Sequence, residues 1–274
     1  MLVNGKQGEL IGIRDRGLLY GDGVFRTFRA TQGHALHWPL QYKKLQHDCA
    51  ALGIPHPDFT LLSDELNELL LQHPEGVVKL IVTRGQGARG YIPSSCVEPT
   101  RIWDVAPMPA YPADWAIRGI KARMCQLRLS QQPMLAGIKH LNRLENVLAA
   151  AESRDAEIGE GLLMDLTGNV IEGIRSNLFL ISEGKLITPE LSACGVAGVQ
   201  RDRVLDWAAR HNMPVHVRDV GLDEVINADE VFVVNSVIVL WPIRELEQRC
   251  WSDFPVASKI RQCLVEQDAW DMDR

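Results

Sequence analysis

Apolar residues recur at helical spacing in two early stretches of the chain. Tyr42, Leu45, Cys49 and Leu52 form one face, and Leu62, Leu66, Leu69 and Leu70 form another, after an Asp58 suited to start a helix. Short β-type runs follow at Val77–Thr83 and Ile102–Ala106. Met108-Pro-Ala-Tyr-Pro-Ala113 has two prolines in six residues and reads as a linker. Beyond it, Ile120–Cys125 reads as a strand, and Leu141, Leu144, Leu148 and Ala151 as one helix face. Two hairpins are expected: Leu162–Leu166 to Asn169–Glu172 across Thr167-Gly168, and Asn177–Ile181 to Lys185–Thr188 across Glu183-Gly184. A helix from about Val199 to His211 and strands at Val215–Val217 and Glu230–Val234 complete the pattern. Helices mixed with hairpins predict an α/β (α+β) fold of two lobes, 1–107 and 114–274, and not one doubly wound sheet. A cleft between lobes is the default place for a ligand.

The 274 residues suffice for two modest cores. A net charge of −6 without a Lys/Arg block argues against nucleic acid or an anionic membrane as partner. It leaves room for a small anionic substrate, which needs only two or three local cations. Met1 to Glu9 lacks the features of a signal peptide, and no run reaches the length of a membrane span. Cys49, Cys96, Cys125, Cys194, Cys250 and Cys263 are scattered without a CxxC pair, which suits a reducing cytoplasm.

Gly85-Gln-Gly-Ala-Arg-Gly90 matches GxGxxG after a predicted strand. A dinucleotide site there requires a helix to open at once, with its amides facing a pyrophosphate. Tyr91-Ile-Pro-Ser-Ser follows instead, and Pro93 with β-branched Ile92 starts a helix poorly. His47, Cys49 and His56 lack zinc spacing, so no metal is expected.

The deciding segment is Ala136-Gly-Ile-Lys-His-Leu-Asn-Arg-Leu-Glu145. In isolation Lys139 is one solvated lysine at the start of a helix. Read functionally, it stands at a glycine-preceded strand-to-helix turn, with Asn142 and Arg143 one turn on. A desolvated lysine near other cations is the amine that aldehyde chemistry requires. The segment resembles the cofactor-lysine signature of the fold type IV pyridoxal 5'-phosphate (PLP) enzymes. That family includes branched-chain and D-amino-acid aminotransferases and aminodeoxychorismate lyases, and the wording is most similar to the lyase branch. The resemblance runs in order through Asp15-Arg16-Gly17, Tyr20-Gly-Asp-Gly-Val-Phe-Arg-Thr27, Arg84-Gly85 and Arg89-Gly-Tyr91. After Lys139 it continues with Glu172, Ser176-Asn-Leu-Phe179, Gly195-Val-Ala-Gly-Val-Gln-Arg201 and Asn235-Ser236.

The resemblance implies that Lys139 bonds the cofactor aldehyde and that Glu172 keeps its pyridine nitrogen protonated. The phosphate would lie on the Val199 and Gln200 amides at a helix N-terminus, with Ser236, Asn235, Ser176 and Asn177 nearby. Lys44 stands where the family usually has a phosphate-binding arginine, keeping the charge but losing the bidentate fork. Arg89 and Tyr91 would hold a substrate carboxylate, with Phe25, Thr27 and Arg143 lining the rest of the pocket. The implied reaction is the elimination of pyruvate from 4-amino-4-deoxychorismate to give 4-aminobenzoate, with Lys139 as base and Thr27 near the leaving group. A D- or branched-chain amino-acid aminotransferase is the alternative, because Lys139 and Glu172 serve both chemistries. A cofactor-free α/β binding protein would keep the packing pattern and lose the site. The family resemblance also implies a homodimer.

Overall fold

In the computed structural model, residues 1–93 and 98–272 are described, so Ser94, Ser95 and Cys96 of the sequence reading lie outside them, as do the last two residues. Two units are distinguished. The first holds residues 1–109, 138–142 and 268–274, and the second holds 110–137 and 143–267.

The first unit contains β1 (Leu2–Val3), β2 (Lys6–Gln7), α1 (Arg16–Tyr20), β3 (Gly23–Thr31), β4 (His34–Ala35), α2 (Trp38–Ala51), α3 (Phe59–Gln72), β5 (Gly76–Thr83) and β6 (Thr100–Ala106). Among the described residues its strands form one six-stranded antiparallel sheet in the order β2-β1-β6-β5-β3-β4. β5 shows why: Val78, Leu80 and Val82 alternate onto the buried face, while Lys79 between them is exposed. That face packs with Leu45 and Cys49 of α2 and Leu62, Leu66, Leu69 and Leu70 of α3 around a fully buried Trp103. Asp58 caps α3 as its sequence suggests, accepting the amides of Thr60 at 2.8 Å and Leu61 at 3.4 Å. β3 alternates too, placing Val24, Arg26 and Phe28 on the core side and Phe25 and Thr27 on the other. A buried arginine on a core face requires a counter-charge, and this one has it.

The second unit contains α4 (Trp115–Arg118), β7 (Ile120–Leu129), α5 (Leu144–Ala151), β8 (Ile158–Asp165), β9 (Val170–Gly173), β10 (Asn177–Ser182), β11 (Lys185–Pro189), α6 (Val199–Arg210), β12 (Val215–Arg218), α7 (Leu222–Asn227), β13 (Glu230–Asn235), β14 (Val239–Leu246) and β15 (Arg249–Cys250). A last helix, α8, runs Pro255–Met272. Both expected hairpins form, β8–β9 and β10–β11, inside a nine-stranded mixed sheet of described residues. Parallel pairings join β7 to β8 and β14, and β11 to β12. Phe179 and Phe232 stack at 5.3 Å in its core, which takes Val204, Trp207 and Ala208 from α6.

Two sequence expectations are corrected. The segment around Lys139 does not open a helix. Residues 138–142 are extended beside β3, with the Phe25 amide donating to the Lys139 carbonyl and the Leu141 amide to the Gly23 carbonyl, both at 3.0 Å. The helix begins later, at Leu144, and its Leu144, Val147 and Leu148 are exposed while Ala149 is buried. Leu141 therefore does not belong to that helical face, because strand-like pairing to β3 takes precedence over the local period.

Candidate active site

Lys139 is fixed by its main chain before its side chain does anything. Its carbonyl is bonded to β3, and its amide donates to Asp48 Oδ2 on α2 at 3.2 Å. The ammonium then lies over the Phe25 ring, 4.4 Å from the centroid, with Lys79 Nζ 5.5 Å from the same ring. Thr27 sits on the same side of β3 as Phe25, two residues on, with Lys79 as its cross-strand partner.

Glu172 is buried on β9, and its Oε2 accepts the Val196 amide at 2.8 Å. The chain at 195–198 is a tight turn. Gly195 has φ +83°, and a Cβ there would meet Leu191 and Ile171 at 2.8 and 2.9 Å, so the turn requires glycine. Asn177 pins the turn from below: Nδ2 donates to the Val196 carbonyl at 2.7 Å and Oδ1 accepts the Gly198 amide at 3.2 Å. Gly198 then starts α6 without a side-chain cap. The amides of Val199 and Gln200 thus open the first turn of a 12-residue helix. Gln200 is buried, its Oε1 accepts from Arg203 at 2.9 Å, and its Nε2 has no hydrogen-bond partner among the described residues. An uncapped helix start beside a buried, unmatched donor suits an anion.

The remaining expected residues are more committed than their sequence suggests. Ser176 Oγ donates to Glu160 Oε2 at 2.7 Å. Asn235 bonds the Arg175 carbonyl through Nδ2 at 3.1 Å and accepts the Val237 and Ile238 amides at 2.8 and 2.9 Å, shaping the turn that carries Ser236. Lys44 is ion-paired with Asp48 one turn along its own helix. Arg143 precedes α5, with Nη1 3.5 Å from Asn146 Oδ1. Arg89 and Tyr91 are both exposed on the loop after β5, where no helix opens among the described residues. The GxGxxG match is therefore not a dinucleotide turn.

Arg16, Asp22 and Arg84 lie within the family motifs, but sequence reasoning assigned them no role. Arg16 donates to the carbonyls of Gly90 and Tyr91, both at 2.9 Å, and lies over the Tyr20 ring. Asp22 bridges Arg16 and Arg84, each at 2.8 Å. Burial alone would push the Asp22 carboxyl up, but the hydrogen bonds from Arg84 and Arg16 outweigh it and hold it below its ordinary value. Complete burial raises that of Glu160, only partly offset by Arg175 and the Ser176 hydroxyl. One available signal was the spacing of Lys44 and Asp48, four apart on a predicted helix.

The amino-transferase class IV family model matches residues 23–246. The chain belongs to this family. It is 34% identical over 263 residues to the aminodeoxychorismate lyase of Vibrio harveyi, covering 95% of this chain and 96% of that one. Its fold superposes on the crystal structure of 4-amino-4-deoxychorismate lyase from Pseudomonas aeruginosa with a TM-score of 0.93 at 42% identity, covering 97% and 98% of the two chains. A D-alanine aminotransferase of Bacillus licheniformis is 26% identical over 257 residues, 90% of this chain and 88% of that one. Class IV enzymes of this fold depend on PLP. Each unit by itself holds groups of the kind PLP requires: the first an amine over an aromatic face, the second a buried carboxylate suited to a ring nitrogen and an uncapped helix start suited to a phosphate.

Proposed function

We propose that this chain is a PLP-dependent 4-amino-4-deoxychorismate lyase releasing 4-aminobenzoate and pyruvate, a step toward folate. The observation that carries the reading is likeness to two lyases over at least 95% of the chain, at 34% and 42% identity, against 30% and 26% over 90% of the chain for two aminotransferase relatives. Lys139 carries the cofactor, Glu172 holds a proton at its pyridine nitrogen, and the Val199 and Gln200 amides with Ser236 hold its phosphate. Asn177, and Asn235 through its turn, shape that phosphate site. Bound PLP supplies an electron sink that makes the proton on C4 of the substrate acidic. Lys139 Nζ would serve as the general base that takes that proton. The C3–O bond then breaks with its electron pair on the departing oxygen, the enolate takes up one proton at its methylene carbon to become pyruvate, and loss of the C4 proton leaves the ring aromatic. Arg89, Tyr91 and Arg143 bind the carboxylates, and Phe25 and Thr27 line the reacting face.

The chain contains no helix among the described residues long and apolar enough to cross a membrane. We place the enzyme in the cytoplasm as a homodimer. Leu144, Val147 and Leu148, exposed together on α5, are apolar surface of the kind that a second copy would cover.

Aminodeoxychorismate offered without a keto acid tests the reading. A lyase releases pyruvate and 4-aminobenzoate in equal amounts and keeps its visible cofactor band. Bleaching by D-alanine or a branched-chain amino acid, with no 4-aminobenzoate formed, establishes the aminotransferase instead.

A further inference from the structure

Asp48 is fully buried, and both its oxygens are engaged. Oδ2 accepts the Lys139 amide at 3.2 Å and Arg26 Nη1 at 3.1 Å, while Oδ1 takes the Lys44 ammonium and lies 3.1 Å from His47 Nδ1. Arg26 is also steadied by Gln41 Oε1 at 3.3 Å. A carboxylate is rarely placed at zero exposure merely to fill space, since its desolvation is costly without cations. Here two cations from two elements, β3 and α2, meet on it beneath the segment that carries Lys139. Resting on the reading of Lys139 as cofactor lysine, we propose that Asp48 is its positioning residue. It fixes the Lys139 main chain through the amide and sets the charge beneath it by neutralising Arg26 and Lys44.

The geometry separates these two duties. The amide bond holds the Lys139 backbone against α2, while the β3 bond holds it from the other side. The side chain therefore leaves a backbone anchored on both flanks and reaches the Phe25 ring without having to order the loop. The charge duty depends on the balance around Asp48. The charged and titratable groups facing this region are Arg26 from β3, Lys44, His47 and Cys49 from α2, Lys79 from β5 across Phe25, and His140 beside Lys139. Removing the carboxylate leaves Arg26 and Lys44 unneutralised and disfavours any further positive charge nearby.

The test uses the PLP-loaded protein and needs no substrate. Asp48→Ala removes both acceptors and the charge, whereas Asp48→Asn can keep one oxygen for the Lys139 amide while losing the charge and the acceptor that faces Lys44. Deuterium uptake by the peptide spanning residues 137–141 is expected to accelerate at least about tenfold in Asp48→Ala and to recover in Asp48→Asn. The pH midpoint of the visible cofactor band is expected to fall by about half a unit or more in both variants, because each loses the negative charge. A residue serving only to pack the core would leave that midpoint in place. Unchanged uptake at 137–141 in Asp48→Ala overturns the positioning duty, and an unmoved midpoint in Asp48→Asn overturns the charge duty. If Asp48→Ala fails to fold, the double variant Arg26→Gln, Asp48→Asn removes one charge of each sign. It should then keep the wild-type midpoint, and a shift as large as that of Asp48→Asn overturns the charge argument. Absence of lyase activity would sink the proposed function and leave these readouts intact. Reductive labelling of another lysine would remove Lys139 while uptake at 137–141 still reports on Asp48.

Discussion

Glu172 receives the main-chain N–H of Val196 on its Oε2 at 2.8 Å, so the buried carboxylate and the turn opening α6 are one hydrogen-bonded piece. A glutamine at 172 still offers an oxygen to Val196 but no negative charge to a ring nitrogen. Glu172→Gln is expected to bind PLP and to lose turnover by well over tenfold. Turnover within about threefold of wild type, a barrier change below roughly 0.7 kcal/mol, would remove Glu172 from the mechanism.

Lys139 faces Phe25 from an extended segment bonded to β3. Borohydride reduction of the loaded enzyme should leave pyridoxyl mass on the peptide containing Lys139, and Lys139→Ala should lose both the visible band and nearly all turnover. Label on Lys121 or Lys185 would place the cofactor elsewhere.

Lys44 is ion-paired with Asp48, where the family resemblance puts a phosphate contact. Lys44→Ala leaves Arg26 on the carboxylate, so the expected loss of stability is about 1–3 kcal/mol, read from denaturant midpoints. Lys44→Arg should bind PLP at least as tightly as wild type and Lys44→Ala more weakly. A stability loss with unaltered PLP affinity in both variants would confine Lys44 to its ion pair.

Asp22 joins Arg16 and Arg84 beneath the loop that carries Arg89. Its folded carboxyl is held below the ordinary value, so its stabilisation is complete above the unfolded carboxylate range and fades as pH falls through the lower folded value. Asp22→Asn should therefore cost about 1–2 kcal/mol at neutral pH. The gap from wild type should narrow below about pH 4. A gap that stays constant down to about pH 2 would show that the ion pairs are not its source. The variant should also raise KM for substrate more than it lowers kcat, if Arg89 binds carboxylate.

Much of this was legible in the chain. The periods of α2 and α3, the Asp58 cap, the hairpins across Thr167-Gly168 and Glu183-Gly184, and α6 after Gly198 are local properties of residues near one another. Side-chain periodicity and turn chemistry act over a few residues, so a linear reading finds them. The motif order around Lys139, Glu172 and Gly195–Gly198 indicated the family for the same reason, since each motif is contiguous.

What tertiary structure alone decided is how distant residues use one another. The extended course of 138–142 is set by hydrogen bonds to β3, more than a hundred residues earlier, and these override a helical pattern that begins only at Leu144. Lys44 turns to Asp48 because burying Asp48 beside Arg26 makes that carboxylate the strongest local claim on an ammonium. Ser176 is bonded to Glu160, and Asn177 holds the turn from both sides. Burial and hydrogen-bond competition depend on three-dimensional neighbours, and no window of sequence contains them.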